Sequence, residues 1–315
     1  MSLISVCVPT YNQAKFLHKT IESVISQENV DFEILIIDDC STDETFSIAE
    51  GYAKIDSRIR VYVNDKNLGM VNNWNRCIEL ANGEYIKFVF GDDFLNTPDA
   101  LNKMLSVLTN EDVVLVATAR HVINSDYSLL TTTSYFDTDI IAKGSDVINL
   151  SIYEHNNIIG EPSVVMFRKS LALRGFNAKY RQIVDLEMWF NLLENGKFAF
   201  IAEPLCTFRQ HQEQQTSKNA QELAHIDDYH RLFDNYLKKE YILLSVIQKW
   251  FVFYYQLYYS WKYSRNGWYN AEITVKKIRL YCGLLRFYIS LPLYKLYNPF
   301  FKLTRHSIRK RIMIK

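Results

Sequence analysis

The chain has 315 residues, 48% hydrophobic and 23% charged, which is enough for a full core and more than one small domain needs. Its net charge of +1 conceals a division: from Lys238 to Lys315 there are 16 Lys and Arg against Glu240 and Glu272, a net +14, whereas residues 1–237 hold 20 basic and 33 acidic residues, a net −13, so the two halves meet different partners. The five cysteines (Cys7, Cys40, Cys77, Cys206, Cys282) are scattered and never in C-x-x-C spacing, which argues against a disulfide framework or a zinc site and fits a reducing compartment.

The opening M-S-L-I-S-V-C-V-P-T has no basic start and no long apolar core, so it reads as a first strand, not a secretory signal. Further apolar runs stand at 33–37, 59–63, 85–90 and 113–117. Between the first two, Leu17, Ile21, Val24 and Ile25 recur at helical spacing and predict a helix packed on the sheet. Ser41 with Glu44 has the capping-box pattern, and Thr97-Pro98 suits the start of a later helix. Polar turns fill much of 121–180, with one helix after Ser145. At 183–194, Ile183, Leu186, Trp189, Phe190 and Leu193 share a helical face, with Asp185 near the start. Strands alternating with helices predict an α/β fold, a mostly parallel sheet covered on both faces.

Two of these strands end in paired acids, E-I-L-I-I-D-D-C-S-T-D at 33–43 and E-Y-I-K-F-V-F-G-D-D-F-L at 84–95. Adjacent carboxylates at a buried strand end repel each other and resist desolvation unless something positive holds them. Ligands of such sheets bind beyond the carboxyl ends of the strands, where both pairs fall. No G-x-G-x-x-G follows a strand and no G-x-x-x-x-G-K-[ST] is present. A nucleotide diphosphate here would therefore be managed through an aspartate-bound Mg²⁺ or Mn²⁺.

P-T-Y-N at 9–12, E-I-L-I-I-D-D-C-S-T-D-E-T from Glu33, N-L-G at 67–69, A-N-G-E-Y-I at 81–86 and G-D-D at 91–93 together resemble glycosyltransferase family 2, with its GT-A fold, closely over the first 95 residues and more thinly to about 217. The resemblance implies a nucleotide-binding half, 1–95, and an acceptor and catalytic half, 96–217. It implies that Pro9, Thr10, Tyr11, Asn12, Asp39 and Asn67 hold the nucleoside, with Tyr11 stacking on the base and Asp39 accepting from uracil. Asp93 would bind the Mn²⁺ or Mg²⁺, and Asp92 would reach the ribose or the metal. Phe90 stands where the commonest form, Asp-x-Asp, has its first acid, so the division between the two aspartates stays open. Asp185 falls at the family's general base, with Val184 in place of the usual preceding glutamate and Glu187 as its rival. F-R-Q-H at 208–211 resembles an aromatic-Arg-x-His element, which adds His211 to the metal shell and places Arg209 nearby. Glu161 lies where many relatives carry a loop near donor and acceptor. The Gln-x-x-Arg-Trp element of processive members is missing at 212–216.

The tail, 218–315, lies outside the resemblance. From Lys238 onward it interleaves aromatic and basic residues, with W-F-V-F-Y-Y-Q-L-Y-Y-S-W at 250–261 and no uninterrupted apolar run long enough to span a bilayer. That composition predicts a helical region lying on an anionic membrane surface, with oligomerisation as the plainer alternative and no nucleic-acid module. The expectation is an inverting, metal-dependent enzyme at the cytoplasmic face of the cell membrane. It would move one sugar from a nucleotide-sugar donor to a polyprenyl-linked or oligosaccharide acceptor, in O-antigen- or capsule-type polysaccharide assembly. A nucleotidyltransferase of related fold and a non-catalytic nucleotide-binding scaffold are the alternatives.

Overall fold

The computed structural model describes residues 3–211 and 224–265. These form two units, one of residues 3–144, 158–179 and 184–211, the other of residues 145–157, 180–183 and 224–265. In chain order the elements are β1 (Ile4–Thr10), α1 (Ala14–Ile25), β2 (Phe32–Asp38), α2 (Thr45–Ala53), β3 (Ile59–Val63), α3 (Met70–Leu80), β4 (Tyr85–Phe88), β5 (Phe94–Leu95) and α4 (Ala100–Leu108). They continue with β6 (Val113–Ile123), β7 (Leu129–Thr133), β8 (Ile140–Lys143), α5 (Gly144–Glu154), β9 (Val165–Arg168), α6 (Val184–Leu193), β10 (Lys197–Arg209), α7 (Ala224–Tyr236) and α8 (Val246–Arg265).

The first unit is built on one sheet of order β3-β2-β1-β4-β9-β6-β10-β5, with β7 beside β6 and β8 beside β10. Its first four strands are parallel, and β6 and β10 form a second long parallel ladder. Between these blocks β9 runs antiparallel to both β4 and β6. Every residue of β1 and β2 is buried, as their unbroken apolar runs require of strands covered on both faces. α1 turns Phe16, Leu17, Ile21 and Val24 inward. At Glu33, the end of β2 remote from the aspartates, the carboxylate accepts from Ser5 Oγ (2.5 Å), Asn82 N (2.6 Å) and Arg60 Nη2 (2.6 Å), tying together β1, β3 and the turn before β4.

Two predicted helix starts move. α2 begins at Thr45, because the Ser41 hydroxyl donates to Asp38 and accepts from Asn12 N–H (2.9 Å); the Ser41–Glu44 capping box does not form. α4 begins at Ala100, with the Thr97 hydroxyl donating to Asp99 Oδ1 (2.6 Å) and capping no backbone group.

The second unit comprises most of α5 together with α7 and α8. Asp228 on α7 accepts from the backbone N–H groups of Arg181 and Gln182, both at 2.7 Å. The His155 ring packs among Tyr229, Phe233 and Tyr255. No helix among the described residues is long and apolar enough to cross a membrane. Most of the predicted membrane-surface region, residues 266–315, lies outside the described residues, as do 212–223.

Candidate active site

The carboxyl ends of β1 and β2 lie side by side, with Thr10 paired to Asp38 in register and Asp39 N donating to Thr10 O (2.8 Å). Pro9 and Thr10 are buried, and the Thr10 hydroxyl donates to Asp38 (3.3 Å). Tyr11 is 47% exposed just beyond the strand, leaving ring surface for a planar ligand. Asn12 takes a positive φ of 54° and accepts from Thr42 N (2.8 Å), so the loops after β1 and β2 are laced together. Asp39 is buried and already engaged. Its Oδ1 accepts from Asn64 Nδ2 and Leu68 N, both at 2.7 Å, and its Oδ2 from Gly69 N (2.9 Å). Asn67 donates to Asp39 O (3.1 Å), and Gly69 holds φ +80°, a backbone that favours glycine. N-L-G is thus a turn clasped by Asp39, whose carboxylate keeps lone-pair capacity for one further donor.

The second acidic strand end packs against the first. A Cβ on Gly91 would stand 3.1 Å from Gln13 and 3.2 Å from Thr10, so glycine permits this approach. Arg209, at the end of β10 and fully buried, holds the loop: its N–H donates to Asp93 Oδ1 (2.9 Å) and its Nε to Asp92 O (3.0 Å). Phe16 and Tyr127 stack on its guanidinium at 4.5 and 4.1 Å. His211, two residues on, brings Nε2 to 2.9 Å from Asp92 Oδ2.

The two aspartates differ sharply. The sequence reading puts Asp93, Asp92 and His211 at the cation and leaves the division between the aspartates open; Asp92 is the carboxylate that meets the imidazole. Asp93 is 1% exposed, and its Oδ2 is buried with no hydrogen-bond partner. Burial pushes the Asp93 carboxyl well above the ordinary carboxylate range, and the Asp92 charge adds to the shift. Phe90, in the place of the first acid of Asp-x-Asp, stacks on Trp74 with centroids 5.0 Å apart.

A 3₁₀ turn at Pro162–Val164 closes over this loop, with the Ser163 hydroxyl accepting from Phe90 N (3.1 Å). Beneath it lies Lys87, fully buried, its ammonium on Ser163 O and Cys206 Sγ and its pKa lowered by that burial. Glu161 is ion-paired with Arg120 at 3.0 Å. Gly160 O, just before it, accepts from Trp189 Nε1 of α6 (2.9 Å). Asp185 is one helical turn before Trp189 on α6. Glu187, the rival of Asp185, is buried and ion-paired with Arg174 (3.0 Å). Sequence reasoning missed Lys87, Arg120, Ser163 and Asn64. Lys87 left a signal, being the single charge within the apolar run 85–90.

The donor set fits a hard divalent cation. Among the described residues no group of three or more His, Cys, Asp or Glu is arranged to hold a metal alone. Mg²⁺-type sites commonly take one or two protein ligands and complete their shell with substrate phosphates and water. Asp92 and His211 meet that description, with the buried, unpartnered Asp93 oxygen behind them.

Residues 5–174 match the family model described as glycosyl transferase family 2, and the chain belongs to that family: it is a glycosyltransferase. It is 31% identical over 199 residues to TuaG of Bacillus subtilis (strain 168), named as a teichuronic acid biosynthesis glycosyltransferase, covering 63% of this chain and 75% of TuaG. The fold is shared with S. aureus TarS 1-349 in complex with UDP-GlcNAc (TM-score 0.65, 18% identity, 93% of this chain and 80% of that one). It is also shared with the mannosyltransferase PcManGT of Pyrobaculum calidifontis in complex with GDP-Man and Mn²⁺ (TM-score 0.57, 16% identity, 97% and 84%). These likenesses make the central sheet and its helices a GT-A-type fold.

Proposed function

We propose that this glycosyltransferase moves a single sugar from a UDP-sugar to a lipid-linked or saccharide acceptor, with inversion at the anomeric carbon and dependence on Mn²⁺ or Mg²⁺. The observation that carries the reading is the meeting of Asp92 and His211 at 2.9 Å beyond a strand end, backed by the unpartnered Asp93 oxygen. TarS with UDP-GlcNAc and PcManGT with Mn²⁺ support the donor and the metal by analogy of fold. TuaG supports a bacterial surface polysaccharide as the product.

In this reading Tyr11 stacks on the base, and Asp39 accepts the ring N–H of uracil with its remaining lone pair. Asp92 and His211 would hold the cation, which supplies charge neutralisation for the diphosphate as it leaves. Arg209 keeps the Asp92–Asp93 loop in place through its two hydrogen bonds and its stacking. Asp185 takes the proton of the acceptor hydroxyl as that oxygen attacks opposite the leaving group, a contribution of about 10²–10⁴-fold. Residues 1–217 carry this chemistry, and 218–315 hold the enzyme at the cytoplasmic face of the membrane, near its acceptor.

The test is calorimetric binding of UDP, GDP and dTDP, each with Mn²⁺ and with EDTA, to the unaltered protein and to Asp185→Asn. UDP should bind only with the metal, and the Asp185→Asn variant should bind equally while transferring nothing. Failure of every nucleotide to bind in the presence of metal would overturn the reading.

A further inference from the structure

The second unit displays a small apolar surface of an unusual kind. Leu243, Val246 and Ile247 are 79%, 84% and 68% exposed, three aliphatic side chains within five residues. Single exposed aliphatic residues are ordinary; a tight cluster on rigid backbone is not. Here the backbone is rigid. Asn149 of α5 accepts from Leu243 N (2.8 Å) and donates to Tyr241 O (3.0 Å). Ile242 and Leu244 are buried on either side, so Leu243 is turned outward by its neighbours. Ser245 and Gln248 then form a reciprocal cap, Ser245 N to Gln248 Oε1 at 2.8 Å and Gln248 N to Ser245 Oγ at 3.2 Å, which opens α8 with Val246 and Ile247 in its first turn.

The chain on both sides of the cluster is basic. Lys238 is exposed, and Lys249 reaches the carbonyl of Leu237, next to it in the chain (3.4 Å). Lys239 lies with its ammonium over the Tyr236 ring (4.2 Å). Glu240 is the single acid between Lys238 and Lys249. Aliphatic groups that enter the acyl boundary, flanked in the chain by lysines that can meet the headgroups, suit a peripheral contact with an anionic bilayer.

We propose that Leu243, Val246 and Ile247 are the inserting contact of this enzyme with an anionic membrane surface. The inference deepens the membrane part of the reading above and rests on it. It concerns a preformed apolar spike, whereas the sequence pointed only to diffuse basic and aromatic character.

The full chain is tested by flotation with phosphatidylglycerol–phosphatidylcholine vesicles, against a variant carrying Leu243→Ser, Val246→Ser and Ile247→Ser. All three side chains point to solvent, so thermal stability and UDP binding should be unchanged. Vesicle partitioning should fall at least about tenfold, since each buried aliphatic group adds to interfacial affinity. Equal partitioning of both proteins would overturn the inference and leave the membrane reading standing. Failure of the unaltered chain to bind anionic vesicles would overturn both. Unchanged partitioning with a smaller species by light scattering would assign the cluster to a second copy of the chain and overturn the inference.

Discussion

Asp39→Asn changes a single atom and reverses the sense of one hydrogen bond. In the native loop, Oδ1 accepts from Asn64 Nδ2 and Leu68 N, and Oδ2 accepts from Gly69 N. With the asparagine oxygen toward Asn64 and Leu68, two charge-assisted bonds become neutral ones, at about 1 kcal/mol each. The new amide N–H₂ then faces the Gly69 N–H, which keeps Asn67 Oδ1 (3.1 Å) as an acceptor, so only the bond to Oδ2 is lost, at about 1 kcal/mol. Together these give about 3 kcal/mol, or roughly 6–12 °C in Tm for a unit of this size. Calorimetric unfolding measures that term directly. Binding of UDP with Mn²⁺ should weaken at least about tenfold in the same variant if, as proposed, Asp39 accepts the uracil N–H. A Tm within about 2 °C of the unaltered protein would refute the clasp. A normal Tm together with unchanged UDP affinity would remove Asp39 from the site as well.

Glu33→Gln tests the opposite end of the same strand. Burial raises the Glu33 pKa, but hydrogen bonds from Ser5, Asn82 and Arg60 outweigh it and the net direction is down. Stability from Glu33 is therefore present above the ordinary glutamate pKa and lost as pH falls through the lowered value, so the variant should be less stable at pH 7 and show a flatter acid limb below about pH 4.5 in denaturant titrations. On the proposed reading His211→Ala should raise the Mn²⁺ concentration needed for UDP binding at least about tenfold, through loss of one of the two proposed protein ligands; a metal titration that does not move would exclude His211 from the shell. Phe90→Asp rebuilds the common Asp-x-Asp form but removes a ring stacked on Trp74, so it should cost about 2–4 kcal/mol in chemical denaturation.

Much of the first half was legible in the sequence because its signals are local. The apolar runs of β1 and β2, the helical spacing of α1 and the G-D-D strand end each depend on a few neighbouring residues, and the structure has them as elements. Helix starts were less legible. Ser41 and Thr97 have the right chemistry for caps, yet each hydroxyl is claimed by an aspartate it meets at a strand end or turn. The local pattern cannot show that competition, since both claims are made by the same residue type.

Sequence by itself determined the family, the α/β order and the residues that gather beyond the strand ends. Tertiary structure decided which partner each of those residues meets. Asp92 and Asp93 are neighbours of identical chemistry, and only the arrival of β10 from 117 residues away sets Arg209 against the loop. His211 then meets Asp92, while Asp93 is left buried. Glu187 likewise meets its partner only in the fold, where Arg174, 13 residues before it, pairs with its carboxylate. The role of a charge follows from what neutralises it, and in a folded chain that partner is usually distant in sequence.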